Sequence, residues 1–423
     1  MQRMQRYLAP IVVAALLLTG CSHKTPTPKS DAKINALLIK ATFLEGEGYY
    51  QEAARLYEKL YTMSGSLEIL KRSVADYIRA KEFDKAMALV QEALKKEPKN
   101  SSLLQLAASL YLAKGEPQKA LEAIKRALEY DKSAKNYEYL ASIYLAQKRY
   151  DLALKYYKSA YAINPSIHNV NTIAYIMYFY LDKKEEAIAY LETHTRIYGC
   201  QKEVCKTLIS LYSLQNNIDG LLSVYKRLYQ TYKEEEYLRK IVELYLYKKE
   251  YSKAIEWAKE LDDDEYMLDL YKIARDYKKA YEYAMRLYRQ TKDPKYLAQA
   301  AIFEYEGASH KDPKLVEDVA KKLELAIKTL DDPVYLNYLG YLYIDHDLNI
   351  KRGVELVKKA LEYEPDSPYY LDSLAWGYYK LGRCQEALRV IKRVYYELGL
   401  KDSEIQLHLT KIRQCAKDRN DAR

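Results

Sequence analysis

The chain has 423 residues, enough for two or three ordinary domains or for one long repeat array. Its net charge is +9, yet 68 Lys and Arg are interleaved with 59 Asp and Glu along the whole length. No basic block forms, which argues for a solvated helical surface and against a nucleic-acid footprint.

Arg3 and Arg6 precede a short apolar run from Leu8 to Leu18. A spanning helix needs about 20 apolar residues, so this run is too short to cross a bilayer. A basic start, a short apolar core and small residues before a cut site mark a secretory leader. The residues Leu18-Thr19-Gly20-Cys21 resemble the bacterial lipobox. The resemblance implies cleavage after residue 20 and a lipid on Cys21; the plainer alternative is an ordinary leader with an incidental cysteine. Two or more acyl chains anchor a protein stably, and a mature lipoprotein carries three. Ser22, where an Asp often retains such proteins at the inner membrane, implies the periplasmic side of the outer membrane. Without Arg3 and Arg6 the net charge falls from +9 to +7. Residues 21–33, polar and carrying Pro26 and Pro28, read as a lipidated flexible tether.

From residue 34 a pattern sets in. Residues 137–165, YEYLASIYLAQKRYDLALKYYKSAYAINP, hold two apolar blocks at helical spacing around a break near Lys148-Arg149. Ala53, Ala86, Ala120, Ala153 and Ala187 follow each other at 33, 34, 33 and 34 residues. Leu221, Ala254 and Ala280 continue the series, and Val319, Gly353 and Ala387 resume it after a longer step. Nine residues before these positions stand Tyr77, Tyr111, Tyr144, Tyr178, Tyr212, Tyr245, Tyr271 and Tyr378. A small residue lets two helices approach, and the ring fills the gap between neighbouring pairs. Pro98, Pro165 and Pro365 stop the second helices.

Over residues 34–415 the chain therefore resembles the tetratricopeptide repeat family. The resemblance implies an all-α, right-handed superhelical solenoid of about eleven helix–turn–helix units, filling residues 34–401. Thin stacked layers explain 47 Tyr against 4 Phe and 2 Trp, because Tyr buries its ring and keeps its hydroxyl wet. Such an array needs end caps. Residues 402–423 read as a capping helix with a polar tail, with Ile405, Leu409 and Ile412 on one side.

Four cysteines remain beyond Cys21. Cys200 and Cys205 sit in a loop leading into a helix, where a bridge requires Cys200 to lie outside the helix. Cys384 opens one helix and Cys415 closes the next, on either side of a turn near Gly399, so the two fall opposite each other. Both pairs are expected to bridge, with free buried thiols or a metal pair as the alternatives.

Little else suggests chemistry. No HExxH, GxSxG or glycine-rich phosphate loop occurs. Asp345-His346-Asp347 reads as a solvated turn rather than a metal site, and Asp262-Asp263-Asp264-Glu265 as helix capping rather than a calcium or basic-partner site. His168 and His194 read as structural. The expectation is a non-enzyme without cofactor or metal.

Family geometry lines the concave face with the first helix of each unit. Carried over, it selects Tyr369, Asp372, Trp376, Tyr379 and Lys380 in unit eleven, and Asn337 and Tyr341 in unit ten. In unit five it selects Asn169, Thr172, Ile176, Phe179 and Tyr180. Trp and Tyr on a groove are favoured anchors, and exposed apolar area favours a partner. The other reading is that the superhelix closes and these residues pack against the same chain.

Residues 336–388, with their LGY, EPDSP and DSLAWGYYKLGR pieces, are similar to the last units of a group of Gram-negative tetratricopeptide lipoproteins. Some of that group are membrane-tethered adaptors for a periplasmic carboxyl-terminal-processing protease. The resemblance implies a scaffold that binds periplasmic proteins or extended peptides and presents them to an envelope protease or cell-wall hydrolase. The alternative is an assembly factor for an outer-membrane secretin, pilus or barrel. Terminal helices of such arrays often self-associate, which leaves a homodimer open.

Overall fold

The computed structural model describes residues 28–397, 399 and 402–421. The expected leader and Cys21 lie outside the described residues. Helix α1 (Pro28–Gly46) already begins inside the segment read as tether, with Ile34, Leu37 and Leu38 packed against the first core cluster.

Helices follow in antiparallel pairs. The first five repeats are α1 with α2 (Tyr50–Ser64), α3 (Leu67–Arg79) with α4 (Phe83–Lys96), and α5 (Ser101–Ala113) with α6 (Pro117–Tyr130). Next come α7 (Ala134–Ala146) with α8 (Tyr150–Ile163), and α9 (Ile167–Tyr175) with α10 (Lys184–Tyr198). Repeats six to eight are α11 (Lys202–Leu214) with α12 (Ile218–Tyr232), α13 (Glu235–Tyr247) with α14 (Tyr251–Ala258), and α15 (Asp264–Ile273) with α16 (Tyr277–Thr291). The last three are α17 (Pro294–Gly307) with α18 (Pro313–Ala326), α19 (Pro333–Asp345) with α20 (Ile350–Tyr363), and α21 (Pro368–Lys380) with α22 (Cys384–Lys392). A single helix, α23 (Ser403–Asp421), closes the series. The described residues form an all-α array of eleven pairs and a terminal helix, as expected. They divide into two compact blocks, with the boundary between Leu208 and Ile209.

The repeated small residues sit at the tightest points: Ala53, Ala86, Ala120, Ala153, Ala187, Ala254, Ala280 and Ala387 are fully buried. Tyr77, Tyr144, Tyr245 and Tyr271 bury their rings beside them. Helix starts are fixed by Pro at the first position of α17, α18, α19 and α21, where the missing N–H costs nothing. Acidic caps help: the Leu315 N–H donates to Asp312 Oδ1 over 2.9 Å, and the Val334 N–H to Asp332 Oδ1 over 2.8 Å. In the acidic run before α15, Asp263 caps through the Tyr266 N–H at 2.9 Å while Asp264 pairs with Arg286.

The turn inside a pair repeats as well. One residue there takes positive φ, Gly at 115 (75°) and 382 (72°) but Lys at 81, 148 and 249 (each 59°). Two first or second helices end in a wide π turn, Ile176–Tyr180 after α9 and Arg393–Glu397 after α22. No helix searched among the described residues is long and apolar enough to cross a membrane.

Candidate functional site

Helix α21 is buried along nine consecutive residues, Tyr370 to Tyr378. A helix of a stacked layer normally keeps one stripe for solvent; burial all round means cover on every side. The extra cover is α23. Its Ile405, Leu409 and Ile412 join the core that contains Leu371, Leu374, Ala375 and Trp376 of α21 and Ala387 and Ile391 of α22.

Several polar contacts of α23 reach the first helices of repeats ten and eleven. His408 Nδ1 lies 2.9 and 3.0 Å from the two carboxylate oxygens of Asp372, and both residues are buried. Burial pushes the Asp372 carboxyl above its usual range, against the hydrogen bond and charge of His408. The His408 ring also stacks on the Trp376 indole, centroids 4.1 Å apart and planes at 16°. Trp376 stacks on Tyr379 at 4.7 Å, and its Nε1–H donates to Asp345 Oδ1 over 3.1 Å. Lys411 Nζ stands 5.2 Å and Lys380 Nζ 5.6 Å from the indole centroid. The Tyr341 hydroxyl of α19 donates to Glu404, and burial drives its phenol far above the ordinary value.

These contacts correct the concave-face expectation for two residues. Trp376, 5% exposed, and Asp372, 6%, face the chain's own last helix and not an open groove. Asn337, Tyr341, Tyr379 and Lys380 are partly exposed, and Tyr369 is exposed. His408, Glu404 and Lys411 were missed as site residues, and Asp345 was read only as part of a solvated turn. The signal was available: His408 falls on the stripe of Ile405, Leu409 and Ile412, and a polar residue on an apolar stripe needs a buried partner.

In repeat five the outward stripe is His168, Thr172, Tyr175 and Phe179, at steps of three and four. Family slots sit one residue off this stripe, so Ile176 and Asn169, expected on the groove, are fully buried. Phe179 and Tyr180 are exposed as expected, and Tyr175 joins them; the three are 49%, 43% and 50% exposed. The rings touch: Tyr175–Phe179 at 4.7 Å, Tyr175–Tyr180 at 5.6 Å, and Tyr180 stacked on Tyr150 at 4.2 Å and 3°. The π turn brings this about, because Leu181 N–H reaches back five residues to the Ile176 carbonyl and swings Phe179 and Tyr180 outward together.

Both expected disulfides are present, Cys200–Cys205 and Cys384–Cys415, each with Cα atoms 5.7 Å apart. Cys200 lies in the loop before α11 and Cys384 opens α22. His194 is buried, its Nδ1 2.7 Å from the Tyr161 hydroxyl, and His168 is exposed. Asp345-His346-Asp347 is a polar turn, in which His346 meets the Tyr305 hydroxyl and Asp347 pairs with Lys380. No cluster of three metal-ligating side chains occurs among the described residues. The Asp372–His408 pair has the form of a base with its orienting carboxylate, and both side chains are buried.

The geometry defines an all-α helical-repeat protein. Two family models match it, both described as tetratricopeptide repeat, over residues 77–142 and 247–409. The chain carries tetratricopeptide repeats over these residues, and proteins with such repeats generally mediate protein–protein interactions.

It is 25% identical over 245 residues to a tetratricopeptide-repeat-containing protein of Methanocaldococcus jannaschii, covering 52% of this chain and 42% of that one. Over 79 residues it is 33% identical to a tetratricopeptide-repeat-containing protein of Pseudomonas aeruginosa, covering 19% and 13%. The chain thus spans less than half the length of the curated relatives it matches. The crystal structure of yeast Tom70 overlays at a TM-score of 0.30 and 13% identity, covering 92% of this chain and 97% of that one.

Proposed function

We propose that this protein is a lipid-anchored scaffold facing the periplasm, tethered at Cys21, most simply to the outer membrane. It gathers other proteins for an envelope protease or cell-wall hydrolase and has no catalysis of its own. The observation that carries the binding role is the ring cluster of repeat five. Tyr175, Phe179 and Tyr180 keep about half their surface in water while packed on each other. Rigid exposed rings lose little entropy on binding and are favoured as anchors. The anchoring half of the reading rests on Leu18-Thr19-Gly20-Cys21.

The test is a crosslinked pull-down from native membranes, with the chain and its Tyr175→Ser/Phe179→Ser variant side by side. Recovery of a periplasmic protease or cell-wall hydrolase with the parent chain, lost in the variant, is the expected result. Recovery of a secretin, pilus or barrel component would replace the adaptor role with assembly. Equal recovery by both chains would remove repeat five from the binding surface.

A further inference from the structure

Helix α1 is apolar on two opposite sides. Ile34, Leu37, Leu38 and Leu44 pack with Ala41 against Ala53, Tyr57 and Leu60 of α2. Ala32, Ala36, Ile39 and Phe43 follow each other at steps of four, three and four, which puts them on one stripe facing away from that core. All four are exposed, Ile39 at 71% and Phe43 at 64%. The stripe runs roughly 17 Å along the helix. Stacked repeats end in a cap whose outer face is polar. Helix α23 follows that rule, since its exposed residues between Gln406 and Lys417 are polar apart from Leu407. Helix α1 does not, so its outer stripe suits something other than water.

The charges around the stripe indicate what. At about 100° per residue, Lys33 and Lys40 fall along one edge of it, and both are exposed. A lysine there lays its stem on apolar surface and lifts its ammonium into a polar layer. Glu45 lies on the inner side, paired with Arg72 and Arg79. Over residues 22–44 the sequence sets Lys24, Lys29, Lys33 and Lys40 against Asp31 alone. An apolar stripe edged by lysines is the arrangement of a helix that lies in a membrane interface. Residue 21 is also close by. A lipid on Cys21 holds Pro28, the first residue of α1, within about 25 Å of the bilayer. At that reach the stripe meets lipid at high effective concentration, ahead of any soluble partner.

We propose that the stripe of Ala32, Ala36, Ile39 and Phe43 docks on an anionic phospholipid surface, with α1 in the plane of the bilayer and Lys33 and Lys40 among the headgroups. The inference rests on the anchor at Cys21 and deepens it. The lipid holds the chain at the membrane, and α1 fixes how the first repeat stands there, with α2 on the side away from the bilayer.

The test uses the chain from residue 21 onward, which keeps every described helix, with Cys21→Ser so that no lipid is attached. Vesicles of phosphatidylethanolamine with phosphatidylglycerol are the probe, and vesicles of phosphatidylcholine the control. The chain should float with the anionic vesicles. Ile39→Ser/Phe43→Ser should lower the apparent affinity at least about tenfold, with far-UV circular dichroism unchanged because both side chains are exposed. Lys33→Gln/Lys40→Gln should weaken binding to the anionic vesicles about fivefold or more and leave the control unchanged. Brominated acyl chains should quench the emission of a Phe43→Trp chain more than that of the chain carrying Trp257 and Trp376 alone. Equal flotation of the parent and Ile39→Ser/Phe43→Ser chains, or equal quenching with and without Phe43→Trp, overturns the proposal. A concentration-dependent dimer in sedimentation, lost in Ile39→Ser/Phe43→Ser and with no vesicle binding, overturns it in favour of a second copy of the chain on the stripe. The anchor fails separately. If native protein loses its lipid mass through Cys21→Ala while the unlipidated chain ignores vesicles, the anchor stands and the docking falls. Vesicle binding by a chain whose native form bears no lipid keeps the docking and removes the anchor.

Discussion

Gly353 of α20 and Gly340 of α19 face each other across their backbones. A Cβ on Gly353 would stand 2.6 Å from the Gly340 carbonyl oxygen, and one on Gly340 would stand 2.9 Å from the Gly353 carbonyl oxygen. Neither carbonyl can move without unmaking its helix. Gly353→Ala should therefore cost about 1–3 kcal/mol, read as a lower urea midpoint at unchanged slope. An unshifted midpoint would mean the two helices separate freely. Trp376 shows the same dependence on neighbours from the other direction. Its ring is held by Tyr379, His408 and Asp345, so Trp376→Ala should cost about 3–5 kcal/mol by cavity formation and release α23 from α21. Faster hydrogen exchange over residues 404–412, with the other helices protected, would report that release.

At the scale of the element, the left-handed turn inside a pair takes its conformation from the fold rather than from the residue. Lys148 holds φ at 59° where Gly115 holds 75°. Left-handed backbone costs an L-residue roughly 1–2 kcal/mol, and glycine gives part of that back as unfolded-chain entropy. Lys148→Gly should stabilise by about 0.5 kcal/mol and Gly115→Lys should destabilise by about 1 kcal/mol, both measurable as thermal midpoints. The helix pairs were legible because Pro98, Pro165 and Pro365, the recurring alanines and the tyrosines nine residues before them repeat with one period. The π turn after Tyr175 was not legible. One extra residue in a hydrogen-bonded ring leaves the apolar spacing almost unchanged, yet it decides that Tyr175, Phe179 and Tyr180 form the cluster and Ile176 goes inside. The Trp376 site was half legible. Asp372, Trp376 and Tyr341 were picked out as a group, but α23 reaches them over distances along the chain that periodicity does not encode.

For the whole molecule, the richness in Tyr sets the response to alkali. Burial pushes the phenols of Tyr190, Tyr305 and Tyr343 from 10.0 up to about 12. Below pH 10 both folded and unfolded chains hold these protons; above it the unfolded chain loses them first. The folded state binds more protons, so stability falls as pH rises and the contribution is gone once pH passes about 12. The phenolate absorbance that a Tyr190→Phe/Tyr305→Phe/Tyr343→Phe variant lacks should be the part that rises together with loss of the far-UV helix signal between those limits; that part rising with helix intact would contradict the burial of these rings. Cys21→Ala should abolish the lipid-induced mass increase and membrane retention, and retention at unshifted mass would dismiss the lipobox. A row of repeats in contact only with their neighbours can unzip from any open end. Here α23 closes one end, with its helix, its buried Asp372–His408 pair and its disulfide all pulling on the same repeat. In the C-terminal block the repeats next to α23 should therefore be the last to lose structure. A single helix makes one end of this block the harder one to open.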